Sequence, residues 1–133
     1  MRAGYFWVEM ILTIANCKKE TAMLASNLQG TWELVSSDGA WMGYRDYNPG
    51  NGNTLQFNGN KYSQTMKTMD TAYHFSGTFT VYKGKPCDSA KEQTLIKMNS
   101  DDANSISQYD GNLTISTTEC ILDGGSSTYR KIQ

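Results

Sequence analysis

The stretch "AYHFSGTFTVY" (72–82) constrains this chain more than any other. Tyr73, Phe75, Gly77, Phe79 and Val81 alternate with His74, Ser76, Thr78 and Thr80. A period of two places the first set on one face and the second on the other, as in a half-buried antiparallel strand. No helix accommodates that period, so the rest of the chain must supply strands for it to pair with. It does so at regular intervals. "GTWELVSS" (30–37) sets Trp32, Leu34 and Ser36 against Thr31, Glu33 and Val35. "TLQF" (54–57) and "KYSQTMKTM" (61–69) flank "NGN", and "SISQY" (105–109) and "NLTIST" (112–117) flank an Asp-Gly pair; both junctions are hairpin signals. "EQTLIKM" (92–98) and "STYRKI" (127–132) complete the set, and residues 38–53 read as a long turn dense in Gly, Asn and Asp.

The spacing predicts an all-β fold of eight short strands in hairpin succession, without the crossovers of a βαβ unit. Such a meander can close on itself and remove its edges, giving an eight-stranded antiparallel up-and-down barrel. Gly77, central in the longest strand, would allow the bend that closure needs. A two-sheet sandwich satisfies the same alternation. At 133 residues there is room for one domain with one core. A net charge of -1 gives no positive field for nucleic acid, and a monomer is expected.

Ahead of the strands, "GYFWVEMILTIAN" follows Arg2. A basic start, an apolar stretch and a small-residue boundary describe a secretory leader. The stretch is shorter than the about 20 residues of a membrane-spanning helix. "TIANCKKE" resembles the end of a bacterial lipoprotein signal of the Bacteroidota type. The resemblance implies cleavage before Cys17, acylation of its thiol and a lipid anchor in the cell envelope, on the periplasmic or surface side of the outer membrane. An ordinary N-terminal helix carrying a free Cys is the other reading. The expected division is a leader over 1–16, a tether and short helix over 17–29, and the barrel over 30–133. Asn27 and Gly30 suit the helix stop.

Within the barrel segment, "LQGTWELVSS", "LQFNGNKYS", "FSGTFTV", "LTIST" and "CILDGGSSTYRKI" follow one another in an order that resembles small bacterial lipocalin-like lipoproteins. The likeness covers about 17–132 and includes the Gly-x-Trp of a first lipocalin strand, at Gly30 and Trp32. It implies that Trp32 plugs one end and that a basic residue of the last strand covers it. The usual Tyr-x-Arg ending matches Tyr129 and Lys131, with Arg130 one position early. Either Lys131 covers the indole or a bulge turns Arg130 inward. The resemblance also suggests a Cys87–Cys120 disulfide. The strand count argues against it: three strands separate the two, placing them at opposite barrel ends, whereas a bridge needs Cα atoms within about 7 Å. Either the count is off or a loop folds over.

Catalytic patterns do not emerge. The single His74 sits on the polar face of its strand, and no nucleophile elbow, zinc-protease motif or phosphate loop occurs. Asp101 and Asp102 lack the spaced oxygens of a calcium loop, and "NLT" (112–114) is a sequon a bacterial lipoprotein would not ordinarily use. No enzyme activity, cofactor or metal is expected. Binding is the remaining class. The inward positions Tyr62, Gln64, Met66, Phe75, Phe79, Ile96, Met98, Ile106, Ile115 and Tyr129, together with Leu34, Leu55, Phe57, Val81 and Leu113, would line a pocket for a small apolar or amphipathic ligand. The same side chains could instead fill the barrel, leaving an envelope structural or interaction module that works through its loops. Trp41, Tyr44 and Tyr47 are candidates for a lid or a protein contact.

Overall fold

A computed structural model describes residues 25–39, 43–99, 102–121 and 123–133. The leader, Cys17, most of the tether and Trp41 lie outside the described residues. The strands are β1 (Gly30–Gly39), β2 (Gly43–Asp46), β3 (Thr54–Asn58), β4 (Lys61–Lys67), β5 (Ala72–Gly84), β6 (Gln93–Met98), β7 (Asn104–Tyr109), β8 (Asn112–Ser116) and β9 (Gly125–Lys131). All pairings are antiparallel, and β9 returns to β1. Eight strands therefore form a closed barrel, which excludes the sandwich. The expected short helix reduces, among the described residues, to a single turn at 25–27.

The ninth strand corrects the sequence expectation. β2 lies inside the segment read as a turn. "GYRD" has no buried face, so alternation could not mark it. It exists because β1 is long: residues 30–33 pair with β3, and residues 36–39 extend further and take β2.

β1 also carries a bulge, because its register against β9 slips between Leu34 and Ser36. Val35 is the extra residue, and it reverses the parity of the positions C-terminal to it. Trp32 and Leu34 point inward before it; after it the inward position passes from the expected Ser36 to Ser37, which lines the barrel mouth.

One end of the barrel is packed solid. Leu28, Trp32, Leu55, Phe57, Tyr62, Phe79, Val81, Ile96, Ile106, Leu113 and Tyr129 form one buried cluster, with Leu34, Met98 and Ile115 against it. Phe57 and Phe79 meet edge to face with centroids 4.7 Å apart. Each such side chain contributes about 1.5–3 kcal/mol on burial. Lys131 stands opposite Trp32 in the ladder, its Nζ 5.7 Å from the ring centroid. Arg130, opposite Glu33, pairs with that carboxylate instead. Gly30 closes this end at φ +122, where a Cβ would come within 2.3 Å of the Gln133 carbonyl. Any other residue there would push the C-terminus off Thr31, whose amide donates to that same oxygen.

Gly77 sits where β5 changes partner. β5 pairs with β4 through residues 72–78 and with β6 through 79–84. At the handover, Asn99 uses its side chain as a substitute strand. Its Oδ1 accepts from the Thr78 amide, while its Nδ2 donates to the Tyr62 hydroxyl and the Ser76 carbonyl. A Cβ on Gly77 would lie 1.7 Å from that Oδ1. The glycine serves close approach.

Cys87 and Cys120 are bonded, with Cα atoms 6.2 Å apart. Three strands do separate them, but the inference that this keeps them apart is overturned. Leu95 supplies the reason: it is adjacent to inward Ile96, so it points outward, yet it is only 1% exposed. Ala90 and Thr118, on the loops carrying the two cysteines, are buried as well. Gly84 at the end of β5 pairs with Gln93, and Ser116 at the end of β8 pairs with Ser105, which pairs with Leu95, so the two loops depart within two residues of the same level on β6 and the disulfide joins them there.

Candidate functional site

Above the packed cluster the barrel stays open. The mouth is a cavity of about 480 Å³ whose lining includes Leu34, Ser37, Tyr47, Gln64, Met66 and Tyr129, with Arg45, Asn53, Thr54, Thr65, Lys67, Thr68, Met69 and Ser127. Leu34 and Tyr129, which face each other across the β1–β9 ladder, form its floor. Burial pushes the Tyr129 phenol above its ordinary range, countered by hydrogen bonds with Ser127 and Gln64. The phenol is therefore neutral at physiological pH and offers a hydroxyl at the base of the cup.

The loop after β2 builds the near wall. The Tyr47 amide donates to the Val35 carbonyl, and its hydroxyl lies 3.2 Å from Ser37 Oγ. Asn51 Nδ2 donates to the Leu34 carbonyl, and its Oδ1 accepts from the Asn53 amide. Asn53 Oδ1 in turn accepts from the Lys67 amide, connecting the loop to β4. The dense Gly and Asn of "NPGNGN" are thereby explained: Gly50 and Gly52 take φ near +80, and the asparagine amides replace strand hydrogen bonds.

Glu33 anchors the same loop. It is 5% exposed, receives the Arg130 guanidinium on Oε1, and accepts from the Gly50 amide on Oε2 at 2.9 Å. The hydrogen bond from Arg130 holds its pKa below 4.5 despite the opposing cost of burial. A carboxyl whose pKa is lower folded than unfolded adds stability above its unfolded pKa, and that stability is lost as pH falls through the folded value. Thermal unfolding should therefore move to lower temperature as pH drops below 4.5. In Arg130→Met the melting point should be lower at pH 7 and should change less between pH 7 and pH 3. Identical pH profiles for the two proteins would show that the pair carries no linkage.

Of the residues expected to bind, Gln64, Met66 and Tyr129 line the mouth. Tyr62, Phe79, Ile96 and Ile106 belong to the filled end, with Met98 and Ile115 packed on it; these six are core, a correction to the single continuous pocket. Phe75 is half exposed beside Tyr73, on the part of β5 that has no β6 opposite. Tyr47 faces the cavity, whereas Tyr44 is 67% exposed and its phenol is held by Asp46, which raises its pKa. His74 lies on the exposed outer wall with Nδ1 3.1 Å from Thr65 Oγ1.

Sequence reasoning alone does not single out Ser37, Arg45, Asn53, Thr54, Lys67 or Ser127. Arg45 and Asn53 fall in the presumed turn, and Ser37 and Ser127 are too ordinary to mark without the bulge. No protein-family model, curated protein or solved structure matches the chain.

Proposed function

We propose that this barrel is a non-enzymatic, lipocalin-like binding protein that takes one small apolar or amphipathic molecule into its mouth. Lipid on Cys17 would hold it in a bacterial cell envelope, outside the cytoplasm. The observation that carries the binding reading is the cup itself. A barrel closed solidly at one end and open over about 480 Å³ at the other has a floor, a wall and an entrance, within the size range of small-molecule sites. The Cys87–Cys120 bridge supports an oxidising compartment, and "TIANCKKE" supports the anchor.

The test is titration of the full-length chain with a neutral polarity-sensitive fluorophore. Saturable one-to-one binding is expected, weakened about tenfold or more by Ser127→Phe, since a ring in the cup removes the volume that a ligand needs. A folded protein that takes up no probe would leave the second reading, an interaction module. That reading draws on the packed end and on the exposed Met66, Met69, Tyr73 and Phe75 at the β4–β5 tip.

A further inference from the structure

The charge of the mouth is one-sided. Among the described residues, Arg45 and Lys67 are the only charged members of its lining, and both are cations. The described carboxylates nearest in sequence are Asp46 and Asp38 to Arg45 and Asp70 to Lys67, and none lies within ion-pair distance of either cation. Asp46 bonds the outward Tyr44 phenol, and Glu33 holds Arg130 and the Gly50 amide. Among the described residues neither Arg45 nor Lys67 forms an ion pair. Two unpaired cations on the rim of a cup with an apolar floor are poorly matched to a neutral hydrocarbon. They are well matched to a chain that ends in negative charge. The surrounding donors agree, because the Ser37 and Ser127 hydroxyls can give hydrogen bonds to an oxyanion.

We infer that the mouth selects a free single-chain amphiphile with an anionic head, its chain on Leu34, Met66 and Tyr129 and its head between Arg45 and Lys67. This rests on the mouth being the binding site proposed above. Because the cations are exposed, their attraction should fade as ionic strength rises.

The test uses full-length protein loaded with the neutral fluorophore at low ionic strength and pH 7.5. Dodecanoate, dodecanol and dodecyltrimethylammonium are added as competitors below their micelle concentrations. Dodecanoate should displace the probe at about a tenfold lower concentration than dodecanol, a difference of about 1.4 kcal/mol, and the cationic amphiphile should be weakest. In Arg45→Gln/Lys67→Gln the ratio of the two displacing concentrations should fall to about one, whatever that variant's own affinity for the probe, and an unchanged urea-denaturation midpoint reports an intact fold. Equal competition by dodecanoate and dodecanol would overturn the charge selection and leave the mouth as a binding site. A preference that survives the double variant would place the anion elsewhere and overturn the inference too. If neither probe nor amphiphile binds, the mouth reading fails and this one with it. Vesicles of phosphatidylglycerol separate a membrane source: dependence on Arg45 and Lys67 for vesicles but not for dodecanoate would overturn the free-amphiphile assignment.

Discussion

Trp32→Ala should cost the barrel about 3–5 kcal/mol, the range for removing a large buried aromatic. For a domain whose whole stability is about 5–15 kcal/mol, that is enough to leave a sizeable fraction unfolded. The indole does more than fill space. At 2% exposed it plugs the packed end, its Nε1 donates to the Leu28 carbonyl at 2.8 Å, and the Lys131 ammonium lies over its face. Truncation leaves a cavity beneath the fully buried Leu28 and orphans a buried carbonyl. Trp32→Phe narrows the comparison, since it keeps one ring while losing the donor and part of the indole's volume; it should cost about 1–3 kcal/mol. Urea denaturation of the three proteins measures both differences. The mouth lies at the other end, so probe binding by the folded fraction should be unchanged in Trp32→Phe. A loss below about 1 kcal/mol in Trp32→Ala would mean that the plug is dispensable.

What the sequence discloses depends on how local the determinant is. The eight barrel strands are legible because side-chain alternation and Asn-Gly or Asp-Gly turns are written within a few residues. β2 is not, since nothing in "GYRD" indicates that the overhang of β1 will give it a partner. The bulge at Val35 is equally silent, yet it decides that Ser37 and not Ser36 enters the mouth. Whether the interior is hollow or filled is a matter of register: Phe57 and Phe79 point inward by parity, but only the registers of β3 on β4 and of β4 on β5 bring their rings together. One further signal is present and readable. In "EQTLIKM" the neighbours Leu95 and Ile96 are both large and apolar, which breaks the alternation of a strand with one wet face. Two buried faces at that point require a cover outside the wall, and a cover is what allows Cys87 and Cys120 to meet.

Loss of that bridge should have the second large effect. Cys87→Ser/Cys120→Ser, or reduction of the native protein, should lower stability by about 3–4 kcal/mol, the chain-entropy value for a link between residues 33 apart. The loss should fall on one seam. β6 and β7 share only two paired positions, Leu95–Ser105 and Ile96–Asn104, where β5 and β6 share six and β7 and β8 share five. A barrel is closed only as firmly as its weakest ladder, and here that ladder lies beneath the joined loops. With the loops free, Leu95 becomes solvated and the short ladder loses its outer cover. Hydrogen exchange should then accelerate first at amides of β6 and β7, before those of the β1–β9 ladder, which spans seven paired positions. Uniform acceleration across all strands would show that the bridge acts on the unfolded chain alone and that the seam needs no clamp. Acceleration confined to β6 and β7 would place the disulfide's contribution in the folded wall, in strands that close the barrel without lining its mouth.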